Sequence, residues 1–360
     1  MSRPLYRLYG LRLSYFTGKL EGYLRAKGVP YDYVEMDTAT FRSCAGETGI
    51  AQMPQLECED GSWMTDTTDI IAHFEAYWPN PRFKPGPPAV AFASLLLEDF
   101  FDEWLWRPAL YYRWAFKPDT DLMSGQLADG MLRDVKAPRF LRQHYIRRRQ
   151  QKHFLKHDGV TPETAPLIEA FLRELLEMLE TVFEDRLFLF GDRPCEADFG
   201  LFGSMFRHFS HDPTPHALLR EIAPHTLNWT ARMWATTPES LRDSVAAQRI
   251  PPDLGPIFSL LGRQYLPYLH YNTVAMATGQ ESVSWEEEGV TWTVPVNPYR
   301  ARCLEALKLH YAKLEEPAQK VIRILVGDSH AILADTSTAE VELPARPDKK
   351  APLDHRWRKA

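Results

Sequence analysis

The chain has 360 residues, of which 44% are hydrophobic and 25% charged, and its formal net charge is −6. These values are ordinary for a globular protein of about two domains. No apolar run approaches the roughly 18 residues of a membrane helix and arginines interrupt the N-terminal segment, so we expect a cytoplasmic protein without a secretory signal. Its four cysteines are scattered without a CxxC pair or zinc-site spacing, so reduced thiols are expected and neither a disulfide framework nor a structural metal is indicated.

The N-terminal part predicts a βαβ unit. Residues 4–10 alternate apolar and polar side chains and end in glycine, as a short strand does. A helical period follows and is stopped by Gly28 and Pro30, and residues 31–36 give a second strand. Residues 37–51 are polar and predict a loop with at most one short helix.

The stretch from 52 to 75 bears most directly on function. Pro54 lies at the start of a strand-like run, where it cannot donate to a sheet, so it belongs at a strand edge or in a turn. The runs around Leu56 and Trp63, joined by an Asp-Gly turn, predict an antiparallel hairpin. Asp66 then begins an apolar helical period and is spaced as its N-cap, and such a helix start can hold an anion.

Proline content and periodicity divide the chain further. Five prolines between 78 and 88 mark a linker, and the pattern from there to about 245 is helical, most clearly at 89–106 and 166–183. We therefore predict an α/β domain at 1–80, an all-α domain at 89–245, an extension at 246–342 and a disordered tail at 343–360. The extension is predicted to hold a hairpin at 282–296, a helix at 300–314, and a strand or buried helix end at 321–334.

Positive charge is concentrated in the segment 133–157, which we expect to be an insertion between helices. It contains nine Lys or Arg residues and one acid, a local charge of +8 that leaves −14 for the remainder. The segment is either a solvated helical face or a site for anionic substrates or for an acidic or nucleic-acid partner. Because this segment contains few aromatic residues and the chain as a whole is acidic, a nucleic-acid partner is the weaker hypothesis. His153 and His157 are spaced as a helical metal pair but lack the Glu of the zinc-protease pattern, so no metal is predicted.

Together these motifs resemble the glutathione transferase superfamily. The resemblance rests on the order of elements, on Met53-Pro54, on Asp66-Thr67, on the proline linker and on the run Phe-Gly-Asp-Arg-Pro-Cys-Glu-Ala-Asp-Phe-Gly-Leu-Phe at 190–202. It covers roughly residues 1–245. It implies a thioredoxin-like N-terminal domain, a helical-bundle C-terminal domain followed by the extension, and a homodimer.

The resemblance also implies glutathione as co-substrate, held by Gln52, Met53, Pro54, Asp66 and Thr67. With Pro54 as the cis-proline, the Met53 backbone would pair with the extended main chain of the tripeptide. The Asp66 carboxylate suits the γ-glutamyl ammonium, and Thr67 with the free N–H groups of the helix start suits a carboxylate. The alternative is that Asp66 is only a helix cap and Thr67 only helix surface.

For thiol activation, Ser14 matches by resemblance the position of the activating hydroxyl in serine-type members. A hydroxyl donor and a helix N-terminus lower the pKa of a thiol from its usual value of about 8.5. Tyr15, where many relatives have proline, and Thr17 compete for this role, and Ser14 as an ordinary cap is the other interpretation. Serine at this position favours thiolate chemistry over disulfide exchange, which would need Cys44 or Cys58 nearby.

The sequence thus predicts a glutathione transferase whose thiolate attacks an apolar electrophile. Aromatic residues at 100–116 are candidates for its pocket, although most such stripes are core, and Arg107 and Arg113 either bind an acidic co-substrate or lie at the surface. The alternative is a non-catalytic binding or scaffolding protein of the same fold. The electrophile, and the choice between conjugation, reductive cleavage and isomerisation, are not predicted.

Overall fold

A computed structural model of the chain describes residues 6–78 and 80–335, so the predicted tail lies outside the described residues. The N-terminal part is a small sheet with helices. In chain order its elements are β1 (Tyr6–Gly10), α1 (Tyr15–Lys27), β2 (Tyr31–Glu35), α2 (Thr38–Thr48), β3 (Gln55–Glu57), β4 (Trp63–Thr65) and α3 (Thr67–Tyr77).

The sheet has the order β2-β1-β3-β4. Strand β1 is parallel to β2 and antiparallel to β3, and β3 and β4 form the antiparallel hairpin. Leu8 and Leu56 stand opposite each other in the register and are fully buried, because their side chains face the helices. The predicted βαβ unit and hairpin are confirmed, and the arrangement is thioredoxin-like.

Helix α2 occupies the segment predicted as a loop with at most one short helix. Asp37 caps its start by accepting a hydrogen bond from the Thr40 N–H at 2.9 Å, and Gly49 ends it with a φ of 75°. Its buried residues, Phe41, Cys44, Ala45 and Thr48, have helical spacing, but only Phe41 among them is a large apolar side chain, so the hydrophobic pattern is faint. Two good caps therefore stabilise a helix that the hydrophobic pattern predicts poorly.

Helices make up the middle of the chain, as predicted. They are α4 (Pro88–Glu103), α5 (Trp106–Ala115), α6 (Lys117–Gly130), α7 (Arg139–Gln150) with a π-helical turn (Gln151–Leu155), α8 (Ala165–Glu184), α9 (Glu196–Ser204) with a second π-helical turn (Met205–Phe209), α10 (Pro213–Ile222) and α11 (Pro224–Ala235). Helices α4 and α9 pack closely where α9 has a glycine. A Cβ atom on Gly200 would lie 2.8 Å from the Glu98 carbonyl oxygen, so only glycine fits at this contact.

Asp198 organises the start of α9 from a fully buried position. Its carboxylate accepts hydrogen bonds from the backbone N–H groups of Cys195 and Leu189, both at 2.9 Å, and from the Trp229 indole at 3.2 Å. The Cys195 thiol contributes a longer contact of 3.4 Å to the same carboxylate. Asp198 therefore ties α9 to α11 and to the preceding loop, a structural role.

The extension is mostly helical. Its elements are α12 (Gly255–Ala277), β5 (Ser282–Glu287), β6 (Val290–Pro295), α13 (Pro298–Ala312), α14 (Glu316–Val326) and α15 (His330–Ala334). The hairpin and α13 agree with the prediction, α12 was not predicted, and of the two alternatives for 321–334 the helical one is observed. Its buried residues join the hydrophobic cluster that contains α4, α8 and α9, so the extension shares one core with them. In the described part of the chain, none of the helices combines the length and apolarity needed to cross a membrane.

Candidate functional site

The turn before β3 places the Met53 backbone at a surface. The Met53–Pro54 peptide bond is cis. Gln55, fully buried, braces the preceding loop, because its side-chain amide donates to the carbonyl oxygens of Ile50 at 2.9 Å and Gln52 at 3.1 Å. Thr48 at the end of α2 donates in turn to the Gln55 side-chain oxygen at 3.2 Å. The turn is thus held from α2 as well as from the sheet.

The start of α3 lies beside this turn. Asp66 is its N-cap: one carboxylate oxygen accepts a hydrogen bond from the Thr68 N–H at 3.1 Å. Its φ of 70° is unusual for a residue with a side chain, and such backbone conformations concentrate at ligand sites. Thr67 is the first helical residue and is buried. The backbone N–H groups of this first turn point out of the helix end, as an anion site requires.

These residues surround one cavity of about 170 Å³, called the Pro54 cavity below. Its lining residues come from the turn before β3, from the β4–α3 connection with the first residue of α3, and from three other elements. They are Phe16, Gln52, Met53, Pro54, Asp66, Thr67, Glu103 and Tyr299. The structure therefore brings together the five residues that the sequence assigned to glutathione.

The sequence did not predict the other three lining residues, Phe16, Glu103 and Tyr299. Two of them, Glu103 and Tyr299, are distant in sequence from the predicted glutathione residues. Glu103 ends α4, and Tyr299 lies in the first turn of α13, where its hydroxyl donates to the second Asp66 carboxylate oxygen at 3.1 Å. Burial raises the pKa of Glu103, although the Arg300 guanidinium opposes this. A contact between positions 66 and 299 leaves no local pattern, so the sequence carried no signal for it.

A larger cavity of about 540 Å³ lies on the other side of Tyr299, between α3, α4 and α13, and is called the α13 cavity below. It shares Asp66 and Tyr299 with the Pro54 cavity. Its walls combine apolar side chains with carboxylates, among them Asp99 and Glu196. Burial raises the pKa of Asp99 to about 7 and that of Glu196 to about 8.

The described residues that line the Pro54 cavity do not include Ser14. Ser14 is the N-cap of α1, and its side-chain oxygen accepts a hydrogen bond from the Thr17 N–H at 3.4 Å. Ser14 is half-buried, and because it only accepts in this contact, its O–H proton remains available for donation. The neighbouring Phe16 is the residue of α1 that reaches the cavity.

The two competing hydroxyls are directed into the protein. Tyr15 is buried and donates to the Phe101 carbonyl oxygen, and burial raises the pKa of its phenol. Thr17 is also buried, and its hydroxyl has no hydrogen-bond partner among the described residues. Of the three candidates, Ser14 is the one that retains partial exposure, so the geometry favours it.

The aromatic residues of α4 and α5 are mostly core. Phe100, Phe101 and Trp114 are buried, whereas half-buried Trp106 stacks on Phe16 with ring centroids 5.8 Å apart. This pair forms an apolar wall next to the Pro54 cavity. The sequence predicts that a minority of the aromatic residues at 100–116 line a pocket, but it does not single out Trp106 among them.

Arg107 and Arg113 are buried and have structural partners rather than lying at the surface. Arg107 stacks over the rings of Trp104 and Trp292, with its guanidinium carbon 4.6 Å and 4.5 Å from the ring centroids. Arg113 pairs with Asp212 at 2.7 Å. Both guanidinium groups are therefore engaged in packing inside the protein and are not available at the surface.

The cysteines are poor candidates for thiolate chemistry. Burial raises the pKa of Cys44 to about 11 and also raises those of Cys58, Cys195 and Cys303. A thiol is reactive as the thiolate, so a raised pKa makes these side chains less nucleophilic at neutral pH. The geometry gives no support to disulfide exchange through Cys44 or Cys58.

Several basic residues of 133–157 bind acidic partners on neighbouring elements. Arg139 pairs with Asp129 at 2.7 Å, Arg147 with Asp121 at 2.5 Å, and Arg133 with Asp37 at 3.0 Å. The first two contacts hold α7 against α6, and the third holds the loop before α7 against the start of α2. They favour the interpretation as a packed and partly solvated helical face. Across residues 6–78 and 80–335, no group of three His, Cys, Asp or Glu side chains converges as a metal site would need.

Two family models match the chain. The model for the glutathione S-transferase N-terminal domain matches residues 8–82, and that for the C-terminal domain matches residues 163–236. The first segment contains Ser14 and the five predicted glutathione residues, and the extension lies outside both. A search of curated proteins found no matching relative.

Solved structures with a similar fold include several glutathione S-transferases. One from Rhodospirillum rubrum is 19% identical, with a TM-score of 0.42, covering 68% of this chain and 96% of its own. The β-etherase LigF from a Sphingobium species is 18% identical, with a TM-score of 0.46 and coverages of 66% and 99%. An enzyme from Methylobacterium radiotolerans, solved with glutathione sulfonate, is 20% identical, with a TM-score of 0.40 and coverages of 68% and 96%.

Proposed function

Since the chain belongs to the glutathione transferase superfamily, we propose that it binds glutathione in the Pro54 cavity and activates the thiol for attack on an apolar electrophile. The observation that carries the proposal is the convergence of the Met53 backbone with Asp66 and Thr67 on one cavity. The first can pair with an extended peptide and the other two can hold its charged end, so one tripeptide can use all three.

Each residue then has a defined part. The cis turn at Pro54 presents the Met53 backbone to the cysteinyl main chain, and Gln52 lies at the exposed rim. Asp66 receives the ammonium of the γ-glutamyl end, and Thr67 with the free N–H groups of α3 receives its carboxylate. Ser14 donates its O–H to the thiolate, and the N-terminus of α1 adds a favourable dipole.

The electrophile would approach along the wall formed by Phe16 and Trp106. These two stacked rings are the apolar surface next to the cavity. An aromatic wall binds apolar, flat molecules by burial and stacking. Homodimer formation and a cytoplasmic location stay predictions from the sequence.

The proposal is tested with an Asp66→Asn variant. Asparagine caps a helix about as well as aspartate, so α3 should keep its start while the ligand loses the carboxylate. We expect the Kd of glutathione in calorimetry to rise about tenfold or more, the effect of losing one charge-assisted hydrogen bond. The melting temperature should change little.

Asp69→Asn is the matched control, because Asp69 is an exposed carboxylate in the same helical turn that does not line the Pro54 cavity. Its affinity for glutathione should equal that of the wild type. If the wild type binds no glutathione at millimolar concentration, the proposed function is wrong, and a non-catalytic protein of this fold becomes the better hypothesis.

A further inference from the structure

The first turn of α13 forms a wall of the Pro54 cavity although it lies outside both segments matched by the family models. The Tyr299 hydroxyl lies 3.1 Å from an Asp66 carboxylate oxygen. The next residue, Arg300, pairs with the Glu103 carboxylate at 3.0 Å. Two consecutive residues of the extension thus contact two lining residues of the candidate glutathione site.

This wall is held rigidly by its own capping residue. The side-chain oxygen of Asn297 accepts hydrogen bonds from the backbone N–H groups of Tyr299 at 3.0 Å and Arg300 at 3.4 Å. Asn297 is tied to α12 by reciprocal hydrogen bonds with Asn272, of 2.7 Å and 2.8 Å. The buried Arg300 also donates to the Tyr268 hydroxyl at 2.9 Å. Tyr299 is therefore placed by a preorganised network, as a ligand-binding residue needs to be.

The hydroxyl of Tyr299 can take part in binding without releasing Asp66. A phenol oxygen donates one hydrogen bond and can accept others. Its proton is directed to Asp66, so its lone pairs remain for an N–H donor that approaches the same carboxylate. An ammonium group has three such donors and can bind the carboxylate and the phenol oxygen together.

From this arrangement we propose that Tyr299 determines specificity for ligands with a free α-ammonium group at the γ-glutamyl end. The proposal rests on the proposed function, because it concerns the same site. Tyr299 accepts one N–H of the ammonium and holds Asp66 in position for another. Compounds whose amino group is absent lose this pair of contacts and gain nothing from Tyr299.

The test uses the full chain and Tyr299→Phe, which keeps the ring and removes the hydroxyl. Calorimetry compares glutathione with glutaryl-cysteinyl-glycine, the analogue that lacks the α-amino group. We expect Tyr299→Phe to raise the Kd of glutathione about tenfold and the Kd of the analogue less than about twofold. Tyr271→Phe, which alters an exposed tyrosine of α12 outside the Pro54 cavity, should change neither value.

The outcomes separate the two proposals. Equal losses for both ligands would mean that Tyr299 is only a packing wall, and no loss for either would mean that it does not contact the ligand; both results overturn the inference. In each of these cases the wild type still binds glutathione. Failure of the wild type to bind glutathione would instead refute the proposed function and this inference with it.

Discussion

At the scale of single residues, Ser14 must combine capping with catalysis. Its oxygen accepts the Thr17 N–H at 3.4 Å, a long contact for a hydrogen bond, while its proton stays available. A serine hydroxyl has one proton and two lone pairs, so it can cap α1 and donate to a thiolate at the same time. The two roles can be separated by measurement, because capping affects stability and donation affects the thiol.

Replacing Ser14 by Ala should therefore have two effects of different size. Loss of the donor should lower turnover by a factor of about 10²–10⁴ and return the pKa of the bound thiol towards its usual value of about 8.5. Loss of the cap should lower the free energy of unfolding by about 1 kcal/mol. Thiolate absorbance against pH, turnover with chlorodinitrobenzene and urea unfolding measure the three quantities.

Ser14→Thr is the control, since threonine keeps a hydroxyl that caps and donates, and it should retain most of the activity. Glutathione affinity should be nearly the same in all three proteins, because the tripeptide is held elsewhere. Unchanged turnover in Ser14→Ala would show that another group activates the thiol.

The sequence predicts those site residues that carry a local pattern. Pro54 stands out at a strand start, and Asp66 stands out as a cap before an apolar period, so both could be named without a structure. Tyr299 and Glu103 reach the same cavity from distant elements. Their positions depend on how α4 and α13 pack, which no short pattern records.

At the scale of elements, Lys19 joins α1 to α4 and α3 from a fully buried position. Its ammonium donates to the carboxylates of Glu98 and Asp102, and to the Thr68 hydroxyl at 3.2 Å. Burial lowers the pKa of Lys19, but Asp102 and Glu98 outweigh it and raise the pKa above its usual value. The sheet domain and the helical domain thus meet around a buried charge cluster.

Lys19→Met should lower the free energy of unfolding by about 3–5 kcal/mol, because it leaves buried carboxylates without their cation. Urea unfolding of the purified variant measures this loss. The exposed pair of Lys117 and Asp121 supplies the control, and Lys117→Met should cost at most about 1 kcal/mol. Comparable losses in the two variants would mean that the buried cluster contributes no more than a surface ion pair.

Helix α12 was not predicted because its sequence lacks an amphipathic pattern. It is apolar on most sides because neighbouring helices and the β5–β6 hairpin surround it, so it lacks the period of an amphipathic helix. It also contains Pro267, which normally ends a helix. Amphipathic α8, in contrast, follows the predicted apolar face closely. Burial on several sides therefore removes the signal that prediction depends on.

At the scale of the whole molecule, the extension buries a face of α4 that carries carboxylates. Tyr265 of α12 donates to Asp99 at 2.6 Å, and Arg300 of α13 pairs with Glu103 at 3.0 Å. Glu196, at the start of α9, lines the same α13 cavity as Asp99. Burial therefore raises the pKa of both Asp99 and Glu196 towards neutrality.

This burial predicts that stability falls as the pH rises above neutrality. The pKa of Asp99 is raised to about 7 and that of Glu196 to about 8, chiefly by burial, although Tyr265 and Lys84 respectively oppose the shifts. Both carboxyls bind more protons in the folded state than in the unfolded state, where their pKa is about 4. Their stabilisation is complete below about pH 4 and is lost as the pH rises through about 7 and 8.

Urea unfolding at about pH 7 and pH 8 should show the last part of this loss, with a slope of at most about 1.4 kcal/mol per pH unit for each group, which levels off above its folded pKa. Burial lowers the pKa of His208, so this histidine changes stability in the opposite direction, and it does so mainly below about pH 7. Asp99→Asn and Glu196→Gln should each flatten the dependence, whereas Asp121→Asn, at an exposed carboxylate whose pKa Lys117 lowers, should leave it unchanged. A wild-type stability that is constant or rises over this window would contradict the prediction, because the two carboxyls would then ionise in the folded state as freely as in the unfolded chain.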